Sequence, residues 1–275
     1  MTRSVTAELL VVRKRVSTWI LLGIWTLLAL LFAYVVPYVQ YLNGSSRQPL
    51  GDLLPEHLVG TLMGGFPFFG GVFALQLGVL AVGSEYGWGT LKTLFTQRPG
   101  RLRVFAAKLL ALAVTLVPFV LVVFVLGALS SYGIALREGA DIEWPSAWLV
   151  LRGLGAGWLI LAVWAAFGIL LAVLSRGTSL AVGIGILYSL VIEGLLSALA
   201  GEVSLLDRLV EFFLRANGYS LVAALGVSAE DVADRGPGSF SGPFVGGVQA
   251  LLVLASYLTV LLVASGWLLR RRDVT

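Results

Sequence analysis

Six long apolar runs, parted by short stretches rich in charged residues, Gly and Pro, set the pattern of the chain. They cover about residues 16–39, 58–82, 104–130, 147–174, 179–200 and 245–269. Each reaches the roughly 20 apolar residues that cross about 30 Å of hydrocarbon as a helix. None alternates with a period of two, which disfavours a lipid-facing β-barrel. In hydrocarbon the backbone groups of each run must be satisfied within the run, as an α-helix does. The pattern predicts an all-α integral membrane protein: one transmembrane domain over residues 1–275, with six spanning helices.

The segments between the runs carry patterns of their own. Residues 1–15 alternate Val5, Leu9 and Val12 with Arg3, Thr6, Glu8 and Arg13. This predicts a short interfacial helix with its apolar side toward the acyl chains. The first run is longer than the 7–15 apolar residues of a secretory signal core, so it reads as a retained helix. The loop at 40–57 is short, with Asn43-Gly44 and Pro49 as turn signals, and that at 131–146 is acidic and closes on Pro145. Residues 201–244 are too long for a simple connector. Leu205, Leu206, Leu209, Val210, Phe212 and Phe213 recur there at helical spacing against Asp207, Arg208, Glu211 and Arg215. A small amphipathic helix is expected, at the outer interface or dipping back into the bundle.

Composition agrees with the pattern and removes whole classes. The chain is 58% apolar and 12% charged, where a soluble domain runs about 45–50% and about 25%. That excludes an ordinary soluble globule, a disordered chain and a nucleic-acid binder, despite a pI near 9.6. Without cysteine there is no disulfide, thiol nucleophile or zinc ribbon. The basic residues are sided. Six crossings put Arg3, Arg13, Lys14, Arg15, Lys92, Arg98, Arg101, Arg103, Lys108, Arg176, Arg270, Arg271 and Arg272 on one face. Only Arg47, Arg137, Arg152, Arg208, Arg215 and Arg235 fall on the other, with eleven carboxylates. The positive-inside rule then makes both termini cytoplasmic, in a bacterial-type plasma membrane, with anionic lipid headgroups as partners of the basic face.

Candidate chemistry is sparse. The single histidine, His57, stands at the mouth of the second span and reads as a helix-start residue; one His without a carboxylate cluster makes no usual zinc site. Glu193 is the one acid clearly inside a predicted span. A charge there is costly and faces a bundle interior or wet cavity. Glu193 is therefore either a translocation-path residue or a structural one with a polar or basic neighbour. No catalytic set and no metal set is predicted. A phosphate-binding G-x-x-x-x-G-K-[ST] loop is missing from the sequence, so ATP is not expected to bind this chain itself. Small-xxx-small pairs such as Gly60 with Gly64 and Gly153 with Gly157 allow close helix contact, most simply within one subunit.

The informative stretch joins the second and third spans. It reads Gly83-Ser84-Glu85-Tyr86-Gly87-Trp88-Gly89-Thr90-Leu91-Lys92-Thr93-Leu94-Phe95-Thr96-Gln97-Arg98-Pro99-Gly100-Arg101. Leu91, Leu94 and Phe95 share one helical face, Lys92 and Thr96 lie elsewhere, and Pro99-Gly100 ends the helix. An apolar face on a cytosolic helix needs a cover, either lipid headgroups or a partner protein, and its place reads as a docking element. Arg101, Arg103 and Lys108 then anchor the return into the membrane.

This stretch resembles the coupling loop of membrane subunits of ATP-binding-cassette exporters, in the type-2 permease superfamily. Those subunits often carry E-[YF]-x-x-G-T-x-[KR]-x-L-x-[TS]-x-P-x-x-R. Glu85, Tyr86, Gly89, Thr90, Lys92, Leu94 and Thr96 fit, and Arg98 adds one residue before Pro99. The order of parts is similar too: an interfacial N-terminal helix, six spans, this loop, and a long outer segment before the last span. The resemblance implies a dimer with a second permease copy, or a related permease, and two cytosolic ATPase subunits that hold ATP and Mg. This chain would be no enzyme by itself. A coupling helix over residues 85–97 would transmit ATPase closure, with Glu85 orienting the start of that helix. Leu91, Leu94 and Phe95 would fill the ATPase groove, and Lys92, Arg98 and Arg101 would make polar contacts at its rim or with headgroups. Substrate residues do not transfer, because the superfamily's substrates vary widely. Two other classes compete: an intramembrane lipid-modifying enzyme, and a non-transporting anchor or assembly subunit.

Overall fold

The computed structural model describes residues 2–45, 49–87, 100–200, 204–226 and 243–271. Among them the regular structure is helical throughout, and six helices are long and apolar enough to cross a membrane. Helix α1 is Thr2–Lys14 and α2 is Val16–Leu42. The second span is broken into α3, Leu58–Met63, and α4, Gly71–Gly87. Then come α5, Arg101–Glu138, and α6, Ala147–Ser175. Helix α7 starts as Ser179–Leu187 and resumes as Glu193–Leu199. Two short helices follow, α8 at Ser204–Val210 and α9 at Leu214–Ala223, and α10 closes the chain at Gly247–Arg271.

Helix α6 is the axis of the bundle. Beyond Arg152 in its second turn it is apolar on all sides, and its small residues Gly153, Ala156, Gly157, Ala162, Ala165, Ala166, Gly168 and Ala172 are buried against neighbours. Against α4 the two backbones nearly touch. A Cβ on Gly78 would stand 1.9 Å from the Ala165 carbonyl oxygen, and one on Gly168 would stand 2.2 Å from that of Leu75. Between helices in lipid, such close packing replaces the hydrophobic drive that water supplies elsewhere. Gly153 and Gly157 lie against Val59 and Phe66 of the same chain, so this small-residue pair serves internal packing.

Three long helices contain a π turn, at Leu31–Val35, Phe66–Gly70 and Tyr188–Ile192. The second follows Gly64-Gly65, and this corrects the expectation of one unbroken second span over 58–82. Two glycines and Pro67 interrupt the ladder: Gly71 donates to Phe66 O, five residues back. The rings of Phe32 and Phe69 stack 5.5 Å apart across the first two π turns. Trp25 crosses the core edge-on to Phe66 at 5.2 Å and donates from Nε1 to Phe119 O at 3.0 Å. That bond falls beside Pro118, whose missing N–H disturbs the ladder of α5.

Both described chain ends lie at one end of the bundle, the terminal end. Lys108 of α5 bonds Glu8 there, and Gly266 of α10 approaches the Phe105 ring. Helix α5 runs on to Glu138, eight residues past its expected end, where Tyr38 donates to Glu138 at 2.6 Å at the far end. The loop after it shortens accordingly. Helix α6 then starts on Ser146, whose Oγ accepts from Leu149 N at 3.2 Å, an N-cap placed one residue after Pro145. His57 occupies the N-cap position of α3 and is exposed, in line with a helix-start role.

Candidate functional site

Two polar clusters are built into the bundle. The first, at the terminal end, surrounds Lys108. Its Nζ lies 2.8 Å from Glu8 of α1 and also bonds Glu85 of α4. Beside it, Arg15 donates from Nη1 to Leu80 O at 2.7 Å and from Nη2 to Ser84 Oγ at 2.9 Å. Burial holds the Arg15 guanidinium below its ordinary value, and the carboxylates of Glu85 and Glu8 oppose that shift. Five side chains, Glu8, Arg15, Ser84, Glu85 and Lys108, thus tie α1 and the α1–α2 junction to the helices on both sides of residues 88–99.

The geometry revises three expectations. Glu85 does not begin a helix: it lies well inside α4, which starts at Gly71, and it pairs there with Lys108. Lys108 is 7% exposed, an internal counter-ion rather than a headgroup anchor, because two carboxylates lie within its reach. Arg103, by contrast, is exposed. On α1 the side bearing Val5, Leu9 and Val12 is half-buried, while Leu10 and Val11 are exposed. The expected acyl-facing side is thus turned inward, as Glu8 on it reaches Lys108. Tyr86 is half-buried against the core. Gly89, Thr90, Leu91, Lys92, Leu94, Phe95 and Arg98 lie outside the described residues. Arg101 opens α5, and its side chain is likewise outside them.

Removing Lys108 leaves two carboxylates close together with their counter-ion gone, a change that costs about 3 kcal/mol at a buried pair. We expect Lys108→Met to loosen α1, seen as faster trypsin cleavage after Arg13 and Lys14. Adding Glu85→Gln to it should restore much of the protection. Unaltered cleavage in Lys108→Met would show that α1 is held by its apolar contacts alone.

The second cluster sits toward the far end, around Glu193, which is fully buried. It is not isolated. Its two carboxylate oxygens accept from the backbone N–H groups of Leu214, at 2.8 Å, and Arg215, at 3.2 Å. Tyr188 also donates to it from its hydroxyl. The π turn over Tyr188–Ile192 brings residues five apart onto one face, which is how Tyr188 and Glu193 meet. The N–H groups of Leu214 and Arg215 open α9, whose N-cap residue is Phe213 and offers no side-chain cap. Glu193 supplies that cap from another helix.

Helix α9 is buried from Leu214 to Val222. Its N-terminus is the deeper end. Its C-terminal turn lies near Arg152 and Gly247, where a Cβ on Gly247 would stand 2.3 Å from that of Ala224. Arg215, 6% exposed, lies over the Phe68 ring at 4.9 Å and donates to Ser189 O at 3.4 Å. Phe68 and Ser189 both belong to π turns. Asn217 donates from its amide to Glu211 O and Phe213 O, both at 2.8 Å, and ties down the turn before the helix.

The amphipathic helix expected from Leu205 to Arg215 is therefore two helices with a break at residues 211–213, and the second is inserted in the bundle. Arg215, counted with the outer loop by its position, is a core residue. Tyr188, Asn217 and Lys108 were missed as site residues. The available signal at α9 was the missing cap: Phe212-Phe213-Leu214-Arg215 starts a helix with no Ser, Thr, Asp or Asn in front, so the cap had to come from elsewhere. Among the described residues no group of three metal-ligating side chains converges.

Six apolar helices enclosing a buried charge cluster define a multi-pass helical membrane protein. The chain belongs to the family described as "protein of unknown function (DUF2705)", whose model matches residues 26–275. No curated protein matches it.

Proposed function

We propose that this chain is the permease subunit of an ATP-driven exporter, working as a dimer with two separate cytosolic ATPase subunits. The carrying observation is the motif that starts at Glu85-Tyr86 and continues through Gly89, Thr90, Lys92 and Leu94. It begins within α4 and continues into the connection to α5, and Lys108 and Glu85 join those two helices. A push on residues 88–99 is then delivered to the second and third spans together, and through Glu8 to α1. Rocking of packed helices between two discrete arrangements is a usual way to convert such a push into alternating access. In this reading the terminal end is cytoplasmic, the membrane is a bacterial-type plasma membrane, and ATP and Mg reside on the partners.

The intramembrane-enzyme alternative needs acidic groups that can reach a lipid. Glu193 is 0% exposed, and its oxygens are engaged by α9, which supports a structural use over a catalytic or substrate-contacting one. The test is isolation through a tag on this chain. A soluble ATPase should accompany it through purification and be lost on mild stripping, while the chain stays monodisperse. Recovery of the chain with lipid-modifying activity and no ATPase would replace the proposal.

A further inference from the structure

We propose that α9 is a movable wedge in the far half of the bundle and that Glu193 is the latch that holds it in. Three observations point there. First, the only side-chain cap on the α9 N-terminus among the described residues comes from Glu193, a residue of another helix. Its carboxylate takes the backbone donors of Leu214 and Arg215 and neutralises the positive end of the helix dipole.

Second, the wedge face is poorly chosen for a permanent core. Arg215 and Asn217 are buried in it, and Ser189, Glu193 and Ser197 face the same region from α7 at one-turn spacing. The Ser189 and Ser197 hydroxyls and the Asn217 amide oxygen have no hydrogen-bond partner among the described residues. Apolar residues of similar size would make a tighter fixed junction. Polar groups that the packed state leaves unsatisfied are satisfied by water once the wedge withdraws, so the two states lie closer in free energy than in an apolar core.

Third, the helices that border the wedge are interrupted where they touch it. The π turn of the second span gives Phe68 to the Arg215 guanidinium and Pro67 to Gly218, where a Cβ would stand 3.0 Å from the Pro67 Cβ. The π turn of α7 gives Ser189 O to Arg215 and Tyr188 to Glu193. Such turns recur at functional sites. On the far side Ser220 Oγ accepts from Val245 N at 3.0 Å, which links the wedge to the start of α10. Withdrawal of α9 would open the far end beside α6, α7 and α10. Calling that opening an outer gate rests on the permease reading; the latch does not.

The chain has no cysteine, so single cysteines report on a clean background. Ala216, 1% exposed on α9, is the probe position, and Ala165, 1% exposed on α6, is the control. Both are labelled with a membrane-impermeant maleimide in native membranes. A216C should react slowly in the otherwise unchanged chain and about tenfold faster with Glu193→Gln, since glutamine keeps one acceptor oxygen where the carboxylate offers two, and it brings no negative charge to the helix dipole. A165C should stay protected in both backgrounds. Phe213→Asp added to Glu193→Gln should slow A216C again by restoring a local cap. Equal A216C rates with and without Glu193→Gln overturn the latch. A parallel rise at A165C also overturns it, by making Glu193 a brace of the whole fold. Neither nucleotide nor substrate is needed, so failure here leaves the permease reading standing, and an absent ATPase leaves the latch standing.

Discussion

Gly78→Ala should destabilise the bundle by about 3 kcal/mol, the upper range for overpacking a close-packed site, although the added methyl is the smallest substitution available. The methyl would fall 1.9 Å from the Ala165 carbonyl oxygen, a backbone atom that no rotamer change can move. The α4 and α6 helices must then separate along their whole contact. Gly183→Ala is the matched control, because nothing stands within 4 Å of a Cβ there. In a helix interior alanine is favoured over glycine by roughly 1 kcal/mol, so Gly183→Ala should leave stability equal or slightly raised. Thermal unfolding of the two purified variants, followed by loss of monodispersity, measures the difference. Equal midpoints would mean that the backbones of α4 and α6 are not in contact.

Leu94→Glu should abolish ATPase binding while the spans remain folded. If Leu91, Leu94 and Phe95 fill a groove on the partner, a carboxylate at the middle position enters that groove unpaired. An unpaired buried charge costs several kcal/mol, and every 1.4 kcal/mol weakens binding about tenfold, so a loss of about a hundredfold or more is expected. Binding of the purified ATPase to the chain in nanodiscs gives the number. Lys92→Ala, at the rim, should change it by less than about fivefold. Similar losses for both would argue that charge, not an apolar groove, makes the contact.

How far the sequence could be read follows from what lipid does to sequence patterns. The existence of the spans was legible, because hydrocarbon demands length and apolarity and little else. Which span is central was not written in apolarity, since lipid-facing and core-facing residues are equally apolar. Helix α10 exposes Val248, Leu252, Val260 and Val263, whereas α6 buries nearly all of its middle. The legible difference is size: Gly and Ala crowd α6, and small residues mark close helix contacts. The inserted α9 was half legible. The apolar spacing that predicted a helix stops at Phe213, just before α9, and the buried cap of α9 comes from Glu193, 21 positions from Leu214 in the chain. Lys108 was misread for the same reason, as its carboxylates lie in two other helices. Local pattern carries no record of partners brought by packing, and charged residues inside a bundle are defined by their partners.

The central claim is that this chain moves solutes on power supplied by another polypeptide. The direct measurement is ATP hydrolysis by the complex isolated through this chain and reconstituted in lipid vesicles, with the Leu94→Glu chain prepared in parallel. The account predicts Mg-dependent hydrolysis that copurifies with a second, soluble polypeptide, responds to added transport substrates, and disappears from the Leu94→Glu preparation. A pure chain that binds no ATPase, or hydrolysis indifferent to Leu94→Glu, would contradict it.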